Sequence, residues 1–397
     1  MLIHKVKNLL KKNTLISNAN ANLKCARLKY QYSKNIRKYN QIPQLHSLDE
    51  LLLEKGFTSN WGKKKLNIYF IGTDESQDRG GFIQDLSALC NLTLFNRFDG
   101  SYGQYSGDLY YNGVQGRELN TNKIIIDIEK QINYDKPPDL VLMQAWGRTF
   151  EIDRLKSFKN NHGLKFVNIS LDDRLVYRAK TPFFEKYNYG ISGLNSITDL
   201  QLVSNKEAVK WYLKENIPAL HFPMASSPRV FFPMNIEKKY DVGFIGNKYG
   251  YRSELIQYLI SSGINVEARG SGWDSGRIDF RDNNTFFNEC KIVLGVGTVG
   301  HCRDFYTQKL RDFDAPLSGS VYITHNENSL KDLYDKDKDI LLCNNLDEFV
   351  FKIRSIIDDN EALTRIGDNA HKKARKFHTY EIRFSSLFKL LGAGEDV

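Results

Sequence analysis

No stretch of this chain approaches the ~20 consecutive apolar residues of a membrane-spanning helix. Lys11 and Lys12 interrupt the N-terminal apolar residues before a secretory h-region can form. The sequence therefore points to a cytoplasmic protein, neither exported by that route nor integral to a membrane. Cysteine is sparse: Cys25, Cys90, Cys290, Cys302 and Cys343 are dispersed, with no CxxC pair and no histidine at metal-ligand spacing. That pattern excludes an evident zinc site and reads as reduced thiols. Proline is scarce too, nine in 397 residues, and gathers in NIPALHFPMASSPRVFFPMN. Acidic residues are absent from the first 48 positions, which hold ten Lys and Arg, while the rest of the chain carries 46 basic against 47 acidic groups. The net charge of +9 thus belongs to an N-terminal arm. A neutral body argues against a nucleic-acid groove.

Within the arm, Ile3, Val6, Leu9 and Leu10 share a helical face ringed by Lys5, Lys7, Lys11 and Lys12, and a second basic stretch runs from Lys24 to Lys38. Such an arm either docks peripherally on the anionic inner face of a membrane or is a solvated helix whose narrow stripe packs on the body.

What is present suits two α/β domains. The length exceeds one ordinary core, and 41% apolar with 12% aromatic residues supports globular folding. Strands are expected at Leu66 to Ile71, Lys123 to Ile128, Asp139 to Gly147, Leu164 to Asp173 and Asp199 to Asn205. A helix at Lys206 to Glu215 then leads into the proline-bearing linker. A second series follows: YDVGFIG, INVEARGSG, CKIVLGVG, SVYITH and DILLC, with a helical C-terminal stretch. Short β-branched runs separated by helices call for parallel strands joined by right-handed crossovers. The expected division is a basic helical arm (1–60), a Rossmann-like domain (61–225), a second one (226–375) and a final helix (376–397).

Parallel sheets bind ligands outside the C-terminal ends of their strands, so the loops there hold the candidates. In FIGNKYGYR, Gly246 and Asn247 end a strand, and Gly250 precedes a helix carrying Arg252; backbone N–H groups beside an arginine suit a diphosphate, or the glycine serves turn geometry alone. In KLRDFDAPLSGSVYITH, Asp314 can accept both hydroxyls of a ribose, with Lys309 and Arg311 nearby for phosphate and Gly319 leading into the next strand. Asp314 could instead act on a helix dipole. In the first half, Asp74, Glu75 and Asp78 follow the first strand, and Asp172 and Asp173 end another; any of them could deprotonate an acceptor hydroxyl or cap a helix. Residues 95–116, rich in Tyr, Asn and Gly, suit sugar faces or form a long surface loop.

The second half resembles the GT-B glycosyltransferases, within them the CgeB-type proteins and their group-1-like relatives. The resemblance rests on YDVGFIGNKYGYRSELI, CKIVLGVG, KLRDFDAPLSGSVYITHNENSLKDLYDKDKDILLCNNLDEF and HTYEIRFSSLF, and covers most of residues 65 to 390. It implies two Rossmann-like domains facing across a cleft, and a helix near His378 to Arg383 that crosses back to the first domain. The family's R-x-F-E-x-x-x-x-G stretch reads here as Arg311, Phe313, Asp314 and Gly319, with Asp for Glu, and Tyr306 stands where retaining relatives carry a second acid. The implied activity is transfer of a sugar from a nucleotide-sugar donor to a glycan, lipid-linked glycan or protein, without a bound metal or other cofactor. The candidate bases are Asp74, Asp78 and Asp173. A nucleotide-sugar epimerase and a non-catalytic glycan-binding coat component are the competing readings.

Overall fold

Short, fully buried apolar runs become the strands of two parallel sheets. The computed structural model describes residues 14–57, 65–179, 188–300 and 302–393, with the backbone alone for 14–19. The lysines and apolar residues expected to line the arm from Ile3 to Lys12 lie outside the described residues. Helix α1 (Thr14–Gln41) is the first described element. There follow β1 (Asn67–Ile71), α2 (Ile83–Leu89), β2 (Asn91–Leu94), the hairpin β3 (Tyr110–Tyr111) and β4 (Val114–Gln115), α3 (Gly116–Asn133) and β5 (Leu140–Met143). Next come α4 (Ile152–Asn161), β6 (Phe166–Ser170), β7 (Leu200–Val203), α5 (Lys206–Leu213) and β8 (Ala219–His221). The second series is β9 (Tyr240–Ile245), α6 (Tyr251–Ser261), β10 (Val266–Arg269), β11 (Cys290–Leu294), α7 (Arg311–Leu317), β12 (Val321–His325), β13 (Leu341–Cys343) and α8 (Leu346–Ile356). Two helices close the chain, α9 (Asn360–Phe377) and α10 (Tyr380–Leu390).

Two compact units result. One holds Tyr39–Phe231 together with the chain from Lys376 on; the other holds Phe232–Arg375 together with the chain up to Lys38. The division near 225 expected from the sequence thus falls at 231, and the described arm up to Lys38 groups with the second series. The first unit is a six-stranded sheet ordered β2-β1-β5-β6-β7-β8, the second a five-stranded sheet ordered β10-β9-β11-β12-β13, and every pair in both is parallel. Both are Rossmann-like. In each, the chain leaves one strand outward and returns on its other side, so a switch point lies between β1 and β5 and another between β9 and β11.

Three expectations are corrected. The run Lys123 to Ile128 is helix, not strand: Ile124 and Ile128, four residues apart, are fully buried on one face of α3, with Ile125 and Ile132 beside them. The second strand of that sheet is instead Asn91–Leu94, an edge whose residues alternate between exposed and half-buried. The proline-bearing segment is not wholly linker, because Ala219–His221 pairs with β7 as the last strand of the first sheet. Finally, Cys25 and Cys302 form a disulfide, so only Cys90, Cys290 and Cys343 are free thiols, all buried.

Helix α10 belongs to the first unit although it follows the second sheet. Thr379 caps it by accepting the Ile382 N–H at 3.2 Å. Phe384 is fully buried, its ring 5.0 Å from that of Phe82 and 5.4 Å from that of Phe222. Asp85 on α2 accepts from Ser227 Oγ (2.5 Å), Arg229 Nη1 (2.7 Å) and the Glu381 N–H (3.0 Å), which pins the entry to α10. Truncating Phe384→Ala should therefore cost about 3–5 kcal/mol, read as a lower urea midpoint at unchanged m-value.

Candidate functional site

The polar features of each unit gather at its switch point. In the second unit, β9 ends at Ile245 and the chain turns through Gly246, whose φ of 153° suits glycine. A Cβ there would lie 3.2 Å from Nη1 of both Arg252 and Arg311 and 3.0 Å from Phe244 Cζ, so two guanidinium groups converge on this residue. Arg311, the first residue of α7, donates from Nη1 to the Ile245 carbonyl at 2.6 Å, and its Nη2 lies 3.4 Å from the Val296 carbonyl just beyond β11. It therefore spans the switch point. Arg252, in the first turn of α6, is buried; its Nη1 donates to the Asn247 carbonyl at 3.1 Å, and its guanidinium lies 4.4 Å from the Tyr249 ring centre.

Neither arginine pairs with a carboxylate among the described residues, and the Nε–H of each is buried without a partner. Burial, followed by the neighbouring Arg311 charge, lowers the Arg252 pKa to about 10. A buried Arg252 beside a half-buried Arg311 is an unfavourable pairing of like charges that a bound anion would relieve, and guanidinium forks match phosphate oxygens. The loop that holds them is braced from below. Trp273 Nε1 donates to the Gly246 carbonyl (2.7 Å), Asn247 Oδ1 accepts the Ser271 N–H (3.2 Å), and Lys248 Nζ lies 5.0 Å from the Trp273 ring centre.

Of the other donor-side candidates, Asp314 is on the same helix, Lys309 just before it and Gly319 just after it. Asp314 is buried one turn beyond Arg311. The Lys309 N–H donates to Asp312 Oδ2 at 2.6 Å, and Tyr322 donates its hydroxyl to Asp312 Oδ1, so this neighbouring buried acid holds α7 against β12; burial raises its pKa to about 6. Gly319 lies at the far end of α7, with φ 79° and Pro233 Cγ 3.0 Å from where its Cβ would be, a turn position rather than a companion of the arginines. His325, which the sequence reading passed over, ends β12 buried, with neither ring nitrogen hydrogen-bonded. The rings of Tyr306 (4.8 Å), Phe349 (5.1 Å) and Tyr251 (5.4 Å) enclose it, and burial lowers its pKa to about 4, leaving it neutral.

In the first unit the loop after β1 carries Asp78, fully buried just before the chain kinks at Gly80 and Gly81. Its Oδ2 accepts from the Thr73 N–H (2.9 Å) and the Tyr102 hydroxyl (2.8 Å), while Oδ1 is buried without a partner. Burial raises its pKa to about 6. Across the switch point, Gln104 Nε2 donates to the carbonyls of Gly72 (3.2 Å) and Gln144 (2.7 Å), tying the ends of β1 and β5 together. Only glycine fits at 72, since a Cβ would overlap the Tyr102 hydroxyl and the Asp78 carboxylate.

The remaining acids have internal duties. Asp74 is exposed and caps the following turn through the Gln77 N–H at 3.0 Å, and Glu75 pairs with Arg79 at 2.9 Å. Asp173 is buried with both oxygens occupied, by the Tyr212 hydroxyl at 2.6 Å and by Ser170, which fastens α5 to the end of β6; burial raises its pKa to about 6. Asp172 stands at the N-terminus of the short helical turn Asp173–Val176. Among the described residues no three His, Cys, Asp or Glu side chains gather as a metal site.

Comparison with known proteins agrees with this layout. Residues 252–389 match the family model described as glycosyl transferase-like. No curated protein matches the chain. Among solved structures, the sucrose-phosphate synthase of Thermosynechococcus elongatus superposes with a TM-score of 0.55 at 9% identity, covering 82% of this chain and 99% of that one. AviGT4, a glycosyltransferase involved in avilamycin A biosynthesis, gives 0.52 at 10% identity over 82% and 97%. HepE of Anabaena, solved in complex with UDP, gives 0.52 at 9% identity over 82% and 99%. At these identities the likeness is one of fold. The chain thus has the GT-B fold of two Rossmann-like domains, and the glycosyl transferase-like match lies within its second unit and closing helices.

Proposed function

We propose that this protein transfers a sugar from a nucleoside-diphosphate sugar to a hydroxyl of a glycan, lipid-linked glycan or protein. The observation that carries the reading is the convergence of Arg252 and Arg311 on Gly246 at the β9/β11 switch point, without a carboxylate partner among the described residues. In this reading the diphosphate lies on the two guanidinium groups and the N-terminus of α6, with Lys309 adding charge and Asp314 accepting the ribose hydroxyls. The bond from the anomeric carbon to the diphosphate oxygen breaks, and the electron pair leaves with the nucleoside diphosphate. Two fixed cations stabilise that charge as it develops, so the step as proposed requires no metal. The acceptor oxygen bonds to the anomeric carbon and gives up its proton to a base, a role for which we name Asp78 as the candidate, its pKa near 6 leaving it ionised at neutral pH yet basic enough to accept. HepE was solved with UDP, which makes UDP-sugars the first donors to try.

The test is thermal stabilisation and slow hydrolysis across a panel of nucleotide sugars. One nucleoside diphosphate series should raise the unfolding temperature by several degrees at ligand about a hundredfold above Kd, and Asp314→Ala should erase most of that rise. Silence across the panel would favour a non-catalytic glycan binder instead.

A further inference from the structure

The arm ends in an amphipathic helix, but its apolar side is already in use. On α1, Cys25 is bonded to Cys302, Leu28 Cδ1 lies 3.6 Å from where a Cβ on Gly300 would stand, and Tyr32 packs its ring 5.3 Å from that of Phe305. These positions, spaced by three and four residues, form the inner face. Lys29 reinforces it through an ion pair with Asp304.

The opposite face is a second stripe at helical spacing: Leu23, Arg27, Tyr30, Lys34 and Arg37, at i, i+4, i+7, i+11 and i+14. Leu23 is 71% and Tyr30 67% exposed, and the three cations of the stripe are exposed as well. Arg27, Lys34 and Arg37 pair with no carboxylate among the described residues, and Lys24 and Lys38 flank them on the exposed side. A row of cations with an aliphatic and an aromatic residue in register is chemically complementary to an anionic lipid surface: the charges meet the headgroups, and tyrosine and leucine reach the interfacial layer. A nucleic acid would use the cations but gain little from the exposed Leu23. Beyond residue 48 the composition is balanced, with 46 basic against 47 acidic groups.

We propose that the outer stripe of α1 docks the protein on an anionic membrane surface, by headgroup contact rather than by burying an apolar face or spanning the bilayer. No described helix is long and apolar enough to cross a membrane. The proposal is independent of sugar transfer. It further implies that the docked helix is held, through Cys25–Cys302 and Lys29–Asp304, to the segment that leads into Tyr306, Lys309 and Arg311.

The experiment is co-sedimentation of the full chain with phosphatidylcholine vesicles, with and without phosphatidylglycerol. Binding should require the anionic lipid and should fade as salt rises from about 0.05 to 0.5 M, where the Debye length becomes shorter than the contact layer. The triple variant R27Q/K34Q/R37Q should lower partitioning about a hundredfold with an unchanged thermal unfolding midpoint, since these side chains are exposed. Should that variant unfold early, the salt titration of the unaltered protein stands as the readout. Equal binding to neutral vesicles, undiminished binding by a folded triple variant, or binding of duplex DNA at a salt concentration where vesicles no longer bind would each overturn the proposal.

Discussion

Replacing Asp78 by asparagine should lower sugar transfer about 10²–10⁴-fold, the range for loss of a positioned general base, while nucleotide binding stays within about twofold. The separation matters. Asp78 lies in the first unit, whereas the residues assigned to the nucleotide lie in the second. Asparagine also keeps an oxygen for the Thr73 N–H and the Tyr102 hydroxyl, so the loop after β1 should hold its shape. In the unaltered protein kcat/KM should be flat above about pH 7 and fall tenfold per unit below about pH 6, because the base must be ionised. In Asp78→Asn that limb should vanish. Stability runs the other way. Because the folded-state pKa lies above the unfolded value, the stability tied to the protonated carboxyl is fully present below about pH 4 and is lost as pH rises through about 6. Asp78→Asn should accordingly be more stable than the unaltered protein at pH 7.5, by about 1–3 kcal/mol. A substitution that stabilises while abolishing turnover marks a carboxylate kept for chemistry. A plain loss of stability at pH 7.5 with turnover intact would assign Asp78 to the scaffold.

Arg311→Ala should be the most damaging change on the nucleotide side, lowering kcat/KM by about 10²–10³-fold. Two losses combine. One is the cation facing the leaving group; the other is the link between the Ile245 and Val296 carbonyls at the ends of β9 and β11. Arg252→Ala removes a charge without spanning two strands, so its loss should be about tenfold smaller. Arg311→Lys should recover little of the activity, since a single ammonium on a flexible stem cannot match a planar fork that holds two carbonyls and still offers an N–H. Steady-state kinetics against the nucleotide sugar identified by the stabilisation panel would check all three.

The alternation of two parallel α/β sheets was legible because buried parallel strands read as continuous apolar runs, as in Tyr240–Ile245 and Cys290–Leu294. Lys123 to Ile128 misled for the same reason: three consecutive isoleucines look like such a strand, and only the four-residue spacing of the two fully buried ones, 124 and 128, reveals a helix. The edge strands Asn91–Leu94 and Ala219–His221 escaped notice because edges are short and partly exposed, so they lack that signature. On the site, Arg252, Arg311 and Gly246 were marked separately by residue type, but their convergence is a tertiary fact. Asp78 and Asp173 were indistinguishable in the sequence, each an acid after a strand. Burial alone does not separate them either; what does is that Asp173 has donors on both oxygens and Asp78 on one. His325 and Asp312 carried no signal, since a histidine ending a strand and an acid inside a short helix are ordinary residues until their surroundings are known. The Cys25–Cys302 bond joins residues 277 positions apart, and no spacing rule reaches that far.

The central claim is that Arg252 and Arg311 form a diphosphate site at Gly246, and calorimetric titration with a nucleoside diphosphate and with its parent nucleoside tests it most directly. The diphosphate should bind about 10²-fold or more tightly than the nucleoside, in line with several charge-assisted hydrogen bonds, and the double variant R252A/R311A should bring the two affinities together. A nucleoside that binds as tightly as its diphosphate, or a folded double variant that keeps the preference, would contradict it.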